Sequence, residues 1–235
     1  MNNNVKRIWY RIKQYPLIGV PYQKLIGNRK TEKLFQQKSR QVKAFGKDAV
    51  ALIEKALPEL GVLYYIDFGS LLGVIRDHQF IDWDPDIDYA LVITEKFDWS
   101  KLQKVMNTVG FTKIKEWRLE GKITEQTYMI NELTVDFFGH YRSDDKMTAY
   151  VYSRIKGHIY KDGEYGVYSV ITPSVSETKM DNIEDIWVNV PVNAEQYLVS
   201  LYNDDWDIPN PKWVAFSGPA YHFIDGKVGS PTDFE

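Results

Sequence analysis

Phe45, Ala49, Leu52, Ile53, Ala56 and Leu57 recur at the three- and four-residue spacing of one helix face, which Pro58 and Gly61 close. The apolar run "VLYYIDF" follows at the length of a strand. Gly69 and Ser70 then turn the chain into a short helical piece, "SLLGVIR", and a polar loop leads to a second strand, "DIDYALVI". "WSKLQKVMNTVG" predicts a helix with Ser100 near its start and Gly110 at its end. From Phe111 to Tyr141 the β-branched and aromatic runs "FTKIKEWRL", "KITEQTYMI" and "LTVDFFGHY" predict antiparallel strands, turning at Gly121 and at Asn131-Glu132. "NAEQYLVSLYNDD" predicts a further helix capped by Asn193, and the Pro- and Trp-rich tail beyond it is expected to wrap over the surface. The order helix, strand, helix, strand, helix, strands is that of an α+β fold with a mixed sheet flanked by helices.

Composition narrows the class. The 235 residues, 44% hydrophobic and 14% aromatic, suffice for a substantial core and argue against disorder. The absence of cysteine excludes a disulfide scaffold, a thiolate zinc site and a thiol nucleophile, and suits a cytoplasmic address. No window approaches the roughly 18 continuous apolar residues of a membrane span. The net charge of −3 hides an asymmetry: residues 1–47 hold twelve Lys or Arg against one acid, Glu32, for +11, whereas the remainder carries −14. We therefore divide the chain into a basic, partly helical arm, 1–47, and an acidic body, 48–235. Within the arm Val5, Ile8, Trp9, Ile12 and Tyr15 fall at helical spacing, with Lys6, Arg7, Arg11 and Lys13 largely off that stripe. Such a helix suits an anionic membrane surface, or else docks on the domain's own core. Nucleic acid is not expected, because the body is acidic and lacks a basic-aromatic groove pattern. The oligomeric state is not legible in the sequence.

Carboxylates carry the chemistry. Asp86 and Asp88, two apart at the entrance of a strand, share a face while Ile87 and Tyr89 point into packing. Two such groups repel unless a cation lies between them, and their hard oxygens suit Mg²⁺ or Mn²⁺. Asp136, flanked by Val135 and Phe137, is either a costly buried charge or a third ligand presented from an adjacent strand. Gly69 and Ser70, ahead of a helix, offer backbone N–H groups and a hydroxyl to phosphate. Together these are the parts of metal-assisted phosphoryl or nucleotidyl transfer. The plainer reading makes Asp86 and Asp88 turn and cap residues. A calcium loop is disfavoured, since "DWDPDID" lacks the central glycine in either register. Asp82 and Asp84 read as loop or supporting groups. His78, His140, His158 and His222 lack metal-ligand spacing and read as surface or packing residues, His78 being the one nearest the acids.

"GSLLGVIR" followed by "FIDWDPDID" resembles the signature of the LicD family, approximately G-T-L-L-G-x-x-R and then F-I-P-W-D-D-D-I-D. The resemblance extends to Asp136 and to "VPVNAEQYLVSLYNDDW", spanning residues from about 60 to 215 and leaving the basic arm outside. Asp82, Pro85, Gln79 and Asn203 depart from the family pattern; Pro85 removes one carboxylate but spares the Asp86/Asp88 pair. The resemblance implies a nucleotidyltransferase-like fold. It also implies transfer of a phospho-alcohol, in the first instance phosphocholine, from a CDP-activated donor to a sugar hydroxyl of a cell-surface glycan precursor, such as that of lipopolysaccharide, teichoic acid or capsule. On it Asp86, Asp88 and Asp136 hold Mg²⁺ or Mn²⁺, Asp136 also accepts the hydroxyl proton, Gly69 and Ser70 hold the donor phosphates, and Arg76 neutralises the leaving CMP. Glycerol-phosphate, ribitol-phosphate or phosphoethanolamine are alternative cargoes for the same chemistry. An Asp-x-Asp sugar-nucleotide glycosyltransferase and a non-catalytic donor- or glycan-binding relative are the other readings. A lipid-linked acceptor would place the enzyme in the cytoplasm, peripherally at the inner face of the membrane.

Overall fold

The computed structural model describes residues 29–234, except 156 and 212, with side chains from residue 33 onward. Expectations for Lys6, Arg7, Ile8, Trp9, Arg11, Ile12 and Lys13 lie outside the described residues. A long helix, α1 (Arg29–Ala56), is followed by a 3₁₀ turn (Leu57–Leu60). Then come β1 (Tyr64–Ile66), α2 (Phe68–Asp77), β2 (Ile87–Ile93), α3 (Trp99–Thr108), β3 (Thr112–Leu119), β4 (Lys122–Ile130) and β5 (Leu133–Ser143). The second half runs β6 (Lys146–Ser153), β7 (Tyr165–Pro173), β8 (Thr178–Ile183), β9 (Ile186–Pro191), α4 (Ala194–Tyr202) and β10 (Tyr221–Asp233).

The boundary expected at residues 47/48 falls inside α1. This helix buries Val42, Ala49, Val50, Ile53 and Ala56, positions that return to one side every three to four residues. Phe45, expected on the buried face, is instead 38% exposed, and Gly46 takes its place: the Phe80 ring packs so closely there that a Cβ would approach it to 2.9 Å. Pro58 ends the regular helix because it has no N–H to give, and Gly61, at φ 67°, donates its N–H to the Pro58 carbonyl.

Eight strands form one mixed sheet in the order β1-β2-β5-β4-β3-β10-β7-β6, and β6 also pairs with the far end of β5. The β2–β5 pairing is parallel, with Asp88 opposite Asp136. The β3–β4 and β4–β5 hairpins turn where the sequence places them: Glu120-Gly121 and Asn131-Glu132 all adopt positive φ, as two-residue hairpin turns require. The C-terminal segment is not a surface wrap. Residues 221–233 form β10, which lies between β3 and β7. Gly226, at φ 73°, sits in the bulge between Ile224 and Val228, and Gly229 leaves the space that the Tyr152 ring occupies.

Candidate active site

The site is built where α2 begins against β2. Asp67 caps α2, its carboxylate accepting from Phe68 N at 2.7 Å, and Phe68 is held at φ +42°, a conformation costly for a residue with a side chain. Both backbone groups of Asp88 are tied to this turn: Asp67 N donates to the Asp88 carbonyl at 2.9 Å, and Asp88 N donates to Ser70 Oγ at 3.1 Å. A buried polar cluster lies behind the turn. Tyr197 OH donates to Asp67 Oδ1 at 2.9 Å, His140 Nε2 lies 2.9 Å from Asp67 Oδ2, and Tyr65 OH lies 3.3 Å from His140 Nδ1. His140 is fully enclosed. It, rather than His78, is the histidine nearest the acids: His78 caps the opposite end of α2 and faces the Asn182 carbonyl. The signal for His140 was available in "FFGHY", where it shares the face of Asp136 four residues earlier.

Asp88 and Asp136 are register partners in the parallel pair, and Asp86 precedes Asp88 by two residues on the same face. Burial pushes the Asp88 carboxyl well above its ordinary range, and the neighbouring charges of Asp86, Asp84, Asp136 and Asp67 push it further. Asp86 is raised by burial and then by Asp136 and Asp84, against a lowering by Lys38. Asp136 is raised by burial, with a hydrogen bond from Thr127 and the charges of Lys38 and Lys115 opposing. Its Oδ1 is buried without a hydrogen-bond partner. Among the described residues no three acid or imidazole groups are already drawn together as a coordination set. The donor chemistry nevertheless fits a hard divalent cation: like-charged carboxylates on one face, one orphaned oxygen, and no soft ligand.

Two further acids line this surface: Asp84, expected as a loop or supporting group, and Glu125, which the sequence did not single out. Asp84 lies over the start of α2, where a Cβ on Gly69 would collide with its carboxylate, and burial raises it to about 7. Glu125, on the face shared by Thr127, is raised well above the ordinary range by burial and by Asp136 and Asp86, with Lys115 opposing. Arg76 stands in the last turn of α2, its Nε on Asp77 Oδ2 at 2.8 Å. The cations whose charge acts on Asp86 and Asp136 are Lys38 and Lys115.

The strand pair presents its opposed carboxylates beside a serine-bearing helix start, on a large mixed sheet flanked by helices. The family model described as "LicD/FKTN/FKRP, nucleotidyltransferase domain" matches residues 61–193, more than half of the chain and all of the residues just described except Lys38 and Tyr197. The chain belongs to the LicD family. No curated protein matches it. Among solved structures it is similar to ANT(2")-Ia in complex with adenylyl-2"-tobramycin, at 12% identity over 68% of this chain and 72% of that one, with a TM-score of 0.39. No helix among the described residues is long and apolar enough to cross a membrane.

Proposed function

We propose that the protein transfers a phospho-alcohol, phosphocholine in the first instance, from a CDP-activated donor to a sugar hydroxyl of a cell-surface glycan precursor. The observation that carries this reading is the Asp88/Asp136 register pair, with Asp86 on the same face and Asp136 Oδ1 left without a partner. Asp86, Asp88 and Asp136 would hold Mg²⁺ or Mn²⁺, which when bound offsets the charge of the diphosphate. The acceptor oxygen attacks the phosphorus that bears the alcohol, the bridging P–O bond breaks, and CMP leaves with that electron pair. The hydroxyl proton passes to Asp136, whose carboxyl burial holds above its ordinary range. Gly69 and Ser70, expected to hold the donor phosphates, are engaged at the start of α2 by the Asp84 carboxylate and by Asp88 N, so their part is to position these acids. The rigid turn around Asp67 keeps Asp88 in place during the exchange, so geometry is not lost as charge moves.

The experiment is to incubate the protein with Mg²⁺ and a panel of CDP-alcohols and to measure CMP release. Release from CDP-choline above the others is the expected result. Binding of UDP-sugars with indifference to CDP-alcohols would sink the reading in favour of a glycosyltransferase. The charge of +11 on residues 1–47 supports a resting place on an anionic membrane surface, where a lipid-linked acceptor would be found. Salt-sensitive binding to anionic but not neutral liposomes, lost when Lys6, Arg7, Arg11 and Lys13 are neutralised, tests that part separately.

A further inference from the structure

A diphosphate cannot rest against five carboxylates without cations of its own, and the expected cradle at the start of α2 is already engaged: Asp84 lies over Gly69, and Ser70 Oγ accepts from Asp88 N. Arg76 is paired with Asp77 at the other end of the helix. We infer that Lys38 and Lys115 bind the diphosphate of the nucleotide donor. The inference rests on the phospho-alcohol transfer reading for the identity of that donor, but Lys38 lies outside the segment that the family match covers.

The two lysines bracket Asp136 from different sides. Lys38, from α1, donates to Thr134 Oγ1 at 3.3 Å, and Thr134 precedes Asp136 by two residues, so its ammonium lands on the face that carries the acids. Lys115 belongs to the same row across the sheet: Asp88 pairs with Asp136, Asp136 with Thr127, and Thr127 with Lys115. Its ammonium rests toward Asp233 on β10, on the far side of β3 from Asp136. Two strand spacings, about 10 Å, separate the Cα atoms of Lys115 and Asp136, so the four-carbon stem meets the acids' row by swinging back across β3.

Both cations are loosely held. Lys38 contacts a neutral hydroxyl, and Lys115 Nζ lies 3.6 Å from Asp233 Oδ1, a carboxylate 76% exposed. An exposed pair of that kind is worth little and exchanges readily for a doubly charged ligand. Lys113 is the contrast: its ammonium, 9% exposed, is 3.1 Å from buried Glu116 and has no charge to spare. Half-buried ammonium groups beside an acid cluster thus fit a polyanion that arrives together with its own counter-cation. Helix α1 would then complete the catalytic surface as well as pack against the sheet.

Amine acetylation of the wild-type protein, read residue by residue by mass spectrometry with and without CDP and Mg²⁺, tests this without a variant. CDP with Mg²⁺ should slow labelling of Lys38 and Lys115 at least about tenfold while leaving Lys47 unchanged, consistent with a charge-assisted contact. Lys38→Gln and Lys115→Gln should each weaken CDP binding roughly tenfold to a hundredfold, CMP binding less, with Lys→Arg restoring most of the loss. A wild type that releases CMP from CDP-alcohols while both lysines stay unprotected overturns the assignment and leaves the function standing. Protection by inorganic pyrophosphate or UDP, with no CMP release from any CDP-alcohol, keeps the lysines and overturns the donor. Should either Gln variant fail to fold, the wild-type protection pattern alone decides.

Discussion

Two buried acid sites lie on opposite faces of the same sheet, and they are built in opposite ways. Glu116, 4% exposed, receives Gln126 Nε2 at 2.7 Å, Lys113 Nζ at 3.1 Å and Arg118 Nη2 at 2.6 Å. Burial alone would raise its carboxyl; the Gln126 hydrogen bond and the two cations more than offset this, and it titrates below the ordinary range. Asp86, Asp88 and Asp136 are raised by burial, compounded at Asp86 and Asp88 by the charges of neighbouring carboxylates and opposed at Asp136 by the Thr127 hydrogen bond, Lys38 and Lys115. Lys115 and Glu116 are consecutive, so one strand sends a cation to the repelling cluster and a carboxylate to the satisfied one. An acid that the protein has paired contributes to the fold; an acid that it has left facing others of its kind is poised for something the protein binds.

The sharpest way to break that comparison is to exchange charge for shape at each site. Asp88→Asn should cost on the order of 10³ or more in turnover, as for loss of a principal catalytic group. Its metal-free melting temperature should stay level or rise, since one repelling charge is gone. CMP release and calorimetry measure both; near wild-type turnover, or a marked loss of stability, would mean that Asp88 is a structural acid like Glu116. Glu116→Gln should do the reverse. It strands the Lys113 ammonium, so about 1–3 kcal/mol of stability should be lost in denaturant titrations, with turnover of the folded protein little changed.

Much of this contrast was legible in the sequence, for physical reasons. Asp86, Asp88 and Asp136 interrupt apolar strand runs, and a charge in such a run must be answered by something. The elements from α1 to β5 follow clean periods, with turns marked by Gly121 and Asn131-Glu132. The pairing that satisfies Glu116 was not legible, because it needs a bulge between Lys113 and Lys115 to bring Lys113 onto the face of Glu116. β10 was missed because Gly226, Gly229 and Pro231 break its alternation, and each has a reason only once the bulge and the Tyr152 ring are in place. The roles of Lys38 and His140 depend on contacts across 96 and 75 residues, which no local pattern encodes.

Proton linkage separates the two sites next. Asp84 titrates at about 7 in the folded chain against an ordinary 3.8, so between those values the folded state holds a proton that the unfolded chain has released. Its contribution to stability therefore falls as pH rises through that window. Asp86, Asp88 and Asp136 shift in the same direction. Glu116 shifts the other way, and its contribution is lost as pH falls. Because metal binds the deprotonated acids, Mg²⁺ should raise the melting temperature by a few degrees near pH 7.5 and by less near pH 5.5. The increment should vanish in Asp88→Asn and persist in Glu116→Gln. Equal stabilisation of all three proteins at both pH values would show Mg²⁺ acting elsewhere.

The smallest effect is expected at Gly69, and it decides to which kind of acid Asp84 belongs. The carboxylate lies where a Cβ would be, its Cγ 3.1 Å from that position, and the positive end of α2 favours it there. Gly69→Ala must move Asp84. The alanine gains about 1 kcal/mol of helix propensity and gives up a comparable helix-dipole interaction, so net stability should change by less than about 1 kcal/mol. If Asp84 works with the cluster, the displaced carboxylate changes the charge around Asp86 and Asp88, and the Mg²⁺ concentration for half-maximal CMP release should rise severalfold. Asp84→Asn should produce the same rise without the steric change. If Asp84 only caps the helix, both variants should keep the wild-type Mg²⁺ requirement, and Asp84→Asn alone should lose stability. Matching shifts in the two variants would place Asp84 with the repelling acids; a stability loss confined to Asp84→Asn would place it with Glu116.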